Sequence, residues 1–323
     1  VIHSKYTSLY VTGGLFLLLF LVGSLQFDNF GSARVVANLF SDNAFLAITA
    51  IGMTFVIISG GIDLSVGAVI ALTGVACGVL IGELGMHPLQ VFPLLLIGGG
   101  LFGAAMGALI HYYRLQPFIV TLAGMFLARG LATTLSEESV PIEHPFYDTV
   151  ADFGILLPGN AWVGTSTLVL VVVLVAAILL AHFSRLGGYI YALGGNTQSA
   201  HLMGVPVART TISIYAISGF LSALGGIVYS FYTFSGYSLA AVGMELDAIA
   251  AVVIGGTLLT GGSGYVIGTV IGVLIMGVIQ TYISFDGTLN SWWTKIVIGL
   301  LLFVFIAMQR LLTVRGSREL NHA

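Results

Sequence analysis

Charge is scarce in this chain. Only 7% of its 323 residues are Asp, Glu, Lys or Arg, against about a quarter in an ordinary soluble domain, and 58% are hydrophobic. A water-soluble fold of this composition would have no surface to present. Ten basic against thirteen acidic residues leave a net charge of -3, so no basic field marks nucleic acid as a partner. The single cysteine, Cys77, excludes an internal disulfide and, inside an apolar run, reads as a small packed thiol.

Catalytic signatures are missing too. Lys5 and Lys295 are the only lysines, and neither follows the glycine-rich spacing of a phosphate-binding loop, so the usual machinery of ATP hydrolysis is absent. The histidines are scattered, with no His-Glu-x-x-His and no paired Cys/His spacing. No Gly-x-Ser-x-Gly elbow occurs. The chain is expected to be no enzyme and to hold no metal or cofactor of its own.

What the sequence does have is continuous apolar runs, and a helix needs about 20 apolar residues to cross a bilayer. A closed barrel would show short alternating strands instead. The expectation is an all-α, polytopic membrane protein, with residues 1–323 forming a single transmembrane domain in the lipid bilayer. Hydropathy bounded by polar or Gly/Pro punctuation places about ten spans, near 8–25, 43–59, 65–83, 90–112, 117–136, 164–183, 208–232, 246–257, 264–283 and 293–311. The eighth is short for a crossing, and discontinuous or re-entrant segments are expected near 59–65 and 254–264. The first run lacks a small-residue cleavage site and is read as a retained span; Val1 is not a start methionine.

Positive charge sets the orientation. With an even span count one side collects Lys5, Arg114, Arg185, Arg209, Arg310, Arg315 and Arg318, while Arg34 and Lys295 fall opposite and Arg129 falls inside the fifth span. Both termini are therefore expected in the cytoplasm. Segment 137–163 becomes an outer loop, either a docking surface for an external protein or a solvated connection. At membrane depth the reading admits only Asp63 and Arg129 as ionisable groups, too few for the usual ion-coupled carrier. Energy for active transport would arrive through a partner; a stand-alone carrier or channel stays open at this point.

Three segments carry more information. In the cytoplasmic stretch 185–206, Asn196 is a good N-cap, Thr197 to Met203 can form about two turns, and Gly204 with Pro206 is a good stop. Ser59-Gly-Gly-Ile-Asp-Leu-Ser-Val-Gly67 joins spans two and three, where Asp63 or Ser65 caps the next helix or lines a pathway. Ile254-Gly-Gly-Thr-Leu-Leu-Thr-Gly-Gly-Ser-Gly264 repeats the paired-glycine interruption and leads into span nine, whose Gly268, Gly272 and Gly277 read as packing contacts.

Together these strings resemble the permeases of sugar-type ABC importers, the ribose- and branched-chain-like branch, over nearly the whole chain. Gly195, Asn196, Ala200 and Gly204 match that family's coupling loop, which implies that the 196–204 helix seats in a groove of a separate ATPase subunit. ATP and magnesium would be bound there. Where such permeases often carry an acidic residue near Asn196, this chain has Thr197, Gln198 and Ser199. Ser136–Thr149 and Phe285–Lys295 are most similar to a permease subunit of the bacterial galactofuranose importer. That resemblance implies a bacterial inner-membrane location, a second, non-identical permease subunit and a periplasmic sugar-binding protein. A neutral, hydroxyl-rich cargo suits a path of amides, hydroxyls and aromatics, with Asn43, Thr54, Asp63, Ser65, Gln280 and Tyr282 as candidate lining and Phe55 or Phe126 as gate or stacking surface.

Overall fold

The computed structural model describes residues 7–290 and 292–320. Lys5 lies outside them, as do the side chains of Arg310, Arg315 and Arg318 that the orientation argument uses. Among the described residues seven helices are long and apolar enough to cross a membrane, and a bent pair makes an eighth span. They are α1 (Thr7–Gln26); the pair α2 (Ala33–Asp42) and α3 (Ala44–Ile58); α4 (Val66–Cys77) continuing into a π-turn, Gly78–Glu83; α5 (Pro88–Tyr112); and α6 (Pro117–Leu135). Then come α8 (Thr165–Phe183), α11 (Val207–Thr233) and α13 (Val266–Asp286).

The remaining helices are shorter or lie beyond these spans. The segment between α6 and α8 folds into β1 (Val140–Pro141), α7 (Pro145–Asp152) and a hairpin of β2 (Gly154–Leu157) with β3 (Ala161–Gly164). It is anchored, since buried Tyr147 shares a 3.0 Å hydrogen bond with Ser230 of α11, and β1 pairs antiparallel with β4 (Ser235–Gly236). Helices α9 (Arg185–Gly195) and α10 (Thr197–Leu202) join α8 to α11, α12 (Met244–Ile254) precedes α13, and α14 (Trp292–Leu320) ends the chain. Of the ten expected spans, the eighth, α12, and the tenth, the apolar part Trp292–Ala307 of α14, fall below the length of the others.

Helix α3 is apolar all round and almost wholly buried, as a central helix must be. Helices α8, α11, α12 and α13 pack around it. Helices α1, α5, α6 and α8 turn Leu17, Leu101, Phe126 and Val172 outward, the faces lipid would cover. Buried hydroxyls on the central helices bond back to the preceding turn, as Thr54 does to the Ala50 carbonyl, and Thr54 also meets Thr269 of α13 at 2.7 Å.

The expected span 43–59 proves to be the inner part of a broken one. Helices α2 and α3 meet at 55°, and the Asn43 amide donates to the Leu39 carbonyl at 2.8 Å where the ladder is interrupted. The tightest seam joins α5 to α11. Gly99, Gly103 and Gly107, each four residues apart, face Gly219, Tyr215 and Ile212, so that a Cβ at Gly103 would strike the Tyr215 carbonyl. Gly103→Leu is expected to cost about 1–3 kcal/mol or more, whereas Gly98→Leu, in open space on the same helix, leaves stability near wild type. Thermal aggregation midpoints in detergent compare the two.

The eighth span is short because α12 has 11 residues, a rise of about 16 Å against about 30 Å of hydrocarbon. It pairs antiparallel with the N-terminal half of α13, Ala251 against Gly272 and Gly255 against Gly268. Thr12 of α1 donates to the Ile254 carbonyl at 2.8 Å and so satisfies the end of this short helix. The C-terminal half of α13 lacks that neighbour.

Candidate functional site

The three segments singled out from sequence meet at one end of the molecule. Gly262 N–H donates to the Ile58 carbonyl at 2.8 Å, joining the 254–264 turn to the end of α3. Gly194 of α9 lies between them: a Cβ there would overlap the Ile58 carbonyl oxygen and the Gly262 nitrogen. The Tyr191 hydroxyl, one turn earlier, donates to the Gly264 carbonyl at 2.8 Å. Burial pushes the Tyr191 phenol up to about 12, with Tyr265 adding to the shift, so it remains a neutral donor. Gly261 and Gly262 have φ of +83° and +76°, a region where L side chains are strained.

Asp63 anchors the neighbouring turn. Ser65 donates to it through its N–H at 2.9 Å and its hydroxyl at 2.6 Å, and Ser218 of α11 donates at 2.7 Å. Both Asp63 and Ser65 are buried. Ser65 stands at the N-cap position of α4 without a side-chain cap bond of its own. The carboxylate thus ties the 59–65 turn to both α4 and α11.

Helix α10 forms as its local sequence dictates. Asn196 Oδ1 accepts from Ser199 N–H at 2.8 Å, Ala200 is buried, and Gly204 takes φ +83°, with Val205 N–H returning to the Ala200 carbonyl at 3.1 Å. Gly195 is exposed, its backbone against Gly262. Beyond these anchors, Leu202 is 82% and Met203 72% exposed. Helix α9 is the part sequence reasoning misses: its four glycines conceal an 11-residue helix, capped by Ser184 accepting from Gly187 N–H at 3.0 Å.

At the opposite end, where α12 leaves the C-terminal half of α13 uncovered, lies a cavity of about 470 Å³. Its walls include Asn38, Asp42 and Asn43 at the α2–α3 bend, Tyr232 of α11, Asp247 of α12, and Gln280 and Ser284 of α13. Lys295 of α14 pairs with Asp247 at 2.6 Å. Asn43 and Gln280 are the two members of the expected pathway set that line this cavity. Thr54 and Phe55 are buried inside α3, and Asp63 and Ser65 at the turn between α3 and α4. Tyr282 donates to Gln26 at 2.6 Å and lines a separate apolar cavity of about 260 Å³ with residues of α1 and α14. Phe126 is 65% exposed on the outside of α6. The structure does not bring these six to the polar cavity.

Arg129 serves elsewhere, donating to the Ser238 and Ala240 carbonyls at 2.6 and 2.7 Å. Asp42, by contrast, lies in the bent pair that forms one candidate span, although the sequence reading limits the ionisable groups of the spans to Asp63 and Arg129; Asp247 lies in the short α12. Asp42 falls just before the expected start of span two, and Asp247 at the edge of the short eighth. The unusual brevity of that span is the available signal.

The family described as branched-chain amino acid transport system / permease component matches residues 35–306. Among curated proteins, the inner membrane ABC transporter permease protein YjfF of Escherichia coli K12 is 56% identical over 95% of this chain and 92% of its own length. The fructose import permease protein FruG of Bifidobacterium longum is 39% identical over 94% of this chain and 91% of its own. The ribose import permease protein RbsC of E. coli K12 is 37% identical over 88% and 87%. No solved structure is significantly similar. A match of this extent makes the chain a member of the branched-chain amino acid transport system / permease component family.

Proposed function

We propose that the chain is the membrane-spanning permease subunit of an ATP-driven, binding-protein-dependent sugar importer, with galactofuranose as the sugar. Relatives named as fructose and ribose import permeases support the sugar class; the resemblance of Ser136–Thr149 and Phe285–Lys295 supports galactofuranose. The partners are a separate ATPase that binds ATP and magnesium, a second, non-identical permease and a periplasmic sugar-binding protein. The location is the bacterial inner membrane with both termini in the cytoplasm, supported by the distribution of basic residues.

One observation carries this reading: the coupling helix and the polar cavity are connected through rigid elements. Helix α10 continues from α9, and α9 is seated at Gly194 between the end of α3 and the turn after α12. The other ends of α3 and α12 wall the cavity. A displacement of α10 by a closing ATPase would thus reach the cavity through packed backbone, with no need of a charge within the membrane. Alternating access follows if the inner turns separate while the outer walls close.

The test separates docking from folding. Leu202→Asp with Met203→Asp changes two exposed side chains, and is expected to abolish co-purification with the ATPase and ATP-dependent uptake in proteoliposomes while leaving the melting midpoint near wild type. Uptake of labelled galactofuranose is compared with ribose and galactopyranose. Intact assembly and uptake in the double variant, or concentrative transport by this chain without an ATPase, would overturn the proposal.

A further inference from the structure

The outer cavity holds two carboxylates in different states. Asp247 is paired with Lys295 at 2.6 Å through both its oxygens. Asp42 has no hydrogen-bond or ion-pair partner among the described residues, and apart from Asp247 the polar groups that share its wall are neutral, among them Asn38, Gln280, Ser284 and Tyr232. Asp42 and Asp247 contribute -2 and Lys295 +1, which leaves one uncompensated negative charge. Amides and hydroxyls beside a free carboxylate provide acceptors and donors for adjacent sugar hydroxyls, and an aromatic wall can cover the apolar face of a sugar ring. The volume of about 470 Å³ lies within the range of about 300–1,000 Å³ usual for small-ligand sites.

We propose that this cavity is a charge-selecting subsite for a neutral monosaccharide, in which Asp42 accepts hydroxyl hydrogen bonds and repels sugars that carry a carboxylate or phosphate. The inference rests on the importer reading and adds to it a residue that discriminates within the membrane, independently of any binding protein. Low-dielectric walls focus the field of Asp42 into the cavity, where it enriches cations and depletes anions. Lys295 limits this field by compensating Asp247.

A thiol introduced by Ser284→Cys reports on the cavity, the native Cys77 being buried. In proteoliposomes it should react with a cationic methanethiosulfonate faster than with an anionic one, by about tenfold or more over the ratio for free cysteine. Adding Asp42→Asn should bring the ratio back toward that of free cysteine, and Lys295→Met should enlarge it. Galactofuranose in excess should slow the labelling and galacturonate should not, unless Asp42 is replaced by Asn. A ratio unchanged by Asp42→Asn, equal protection by both sugars with Asp42 present, or no protection in a complex that imports sugar would overturn this inference alone. Failure of the fully assembled wild-type complex to import any sugar would instead sink the importer reading.

Discussion

Gly194→Ala is expected to produce a protein that is made poorly and melts well below wild type. The added Cβ would fall on the Ile58 carbonyl and the Gly262 amide. Both are backbone, so neither can rotate away as a flexible side chain would. Overpacking costs about 1–3 kcal/mol where side chains can adjust, and this site should lie at the top of that range or beyond it. Gly188→Ala is the matched comparison: it sits in the same helix with nothing within 4 Å of its Cβ, and an alanine there should gain up to about 1 kcal/mol in helix propensity. Yield and thermal aggregation midpoints of the two variants decide the matter. Equal midpoints would mean that α9 is not wedged between the two glycine turns.

Asp63→Ala should have an effect of similar size through a different cause. It leaves the Ser65 N–H and the Ser65 and Ser218 hydroxyls without their buried acceptor. A buried donor left without its acceptor costs about 1–3 kcal/mol, and three lose theirs here. Asp63→Asn should recover part of the loss, because one oxygen still accepts from Ser65 while the amide donates to a reoriented Ser218 hydroxyl. Ser218→Ala, which deletes a single bond, should cost about 1 kcal/mol. The expected order of stability is wild type, Ser218→Ala, Asp63→Asn, then Asp63→Ala. A stable Asp63→Ala protein with transport alone lost would show that the carboxylate acts on the cargo path and not on the turn.

Some parts of this arrangement are legible in the sequence because they are local. Apolar length locates the spans, and the Asn196 cap and Gly204 stop define α10 within a residue. The brevity of the eighth span is visible too, but its consequence is not, since the cavity arises from what α12 leaves uncovered on α13. Asp247 and Lys295 are 48 residues apart, and no local pattern announces their pairing. Phe126 illustrates a second limit. When lipid and protein core are both apolar, helical periodicity no longer distinguishes inside from outside, and an aromatic that faces lipid looks like one that lines a path. Helix α9 is hidden for an opposite reason: its glycines have low helix propensity, yet close backbone approach requires small residues there.

Thr12 and Gln26, near the two ends of α1, bond to partners 242 and 256 positions later in the chain. Translation therefore delivers α1 long before Ile254 and Tyr282 exist. Until they arrive this helix has lipid for company, and its docking is among the most non-local events in assembly. A span made early is among the last to be fastened.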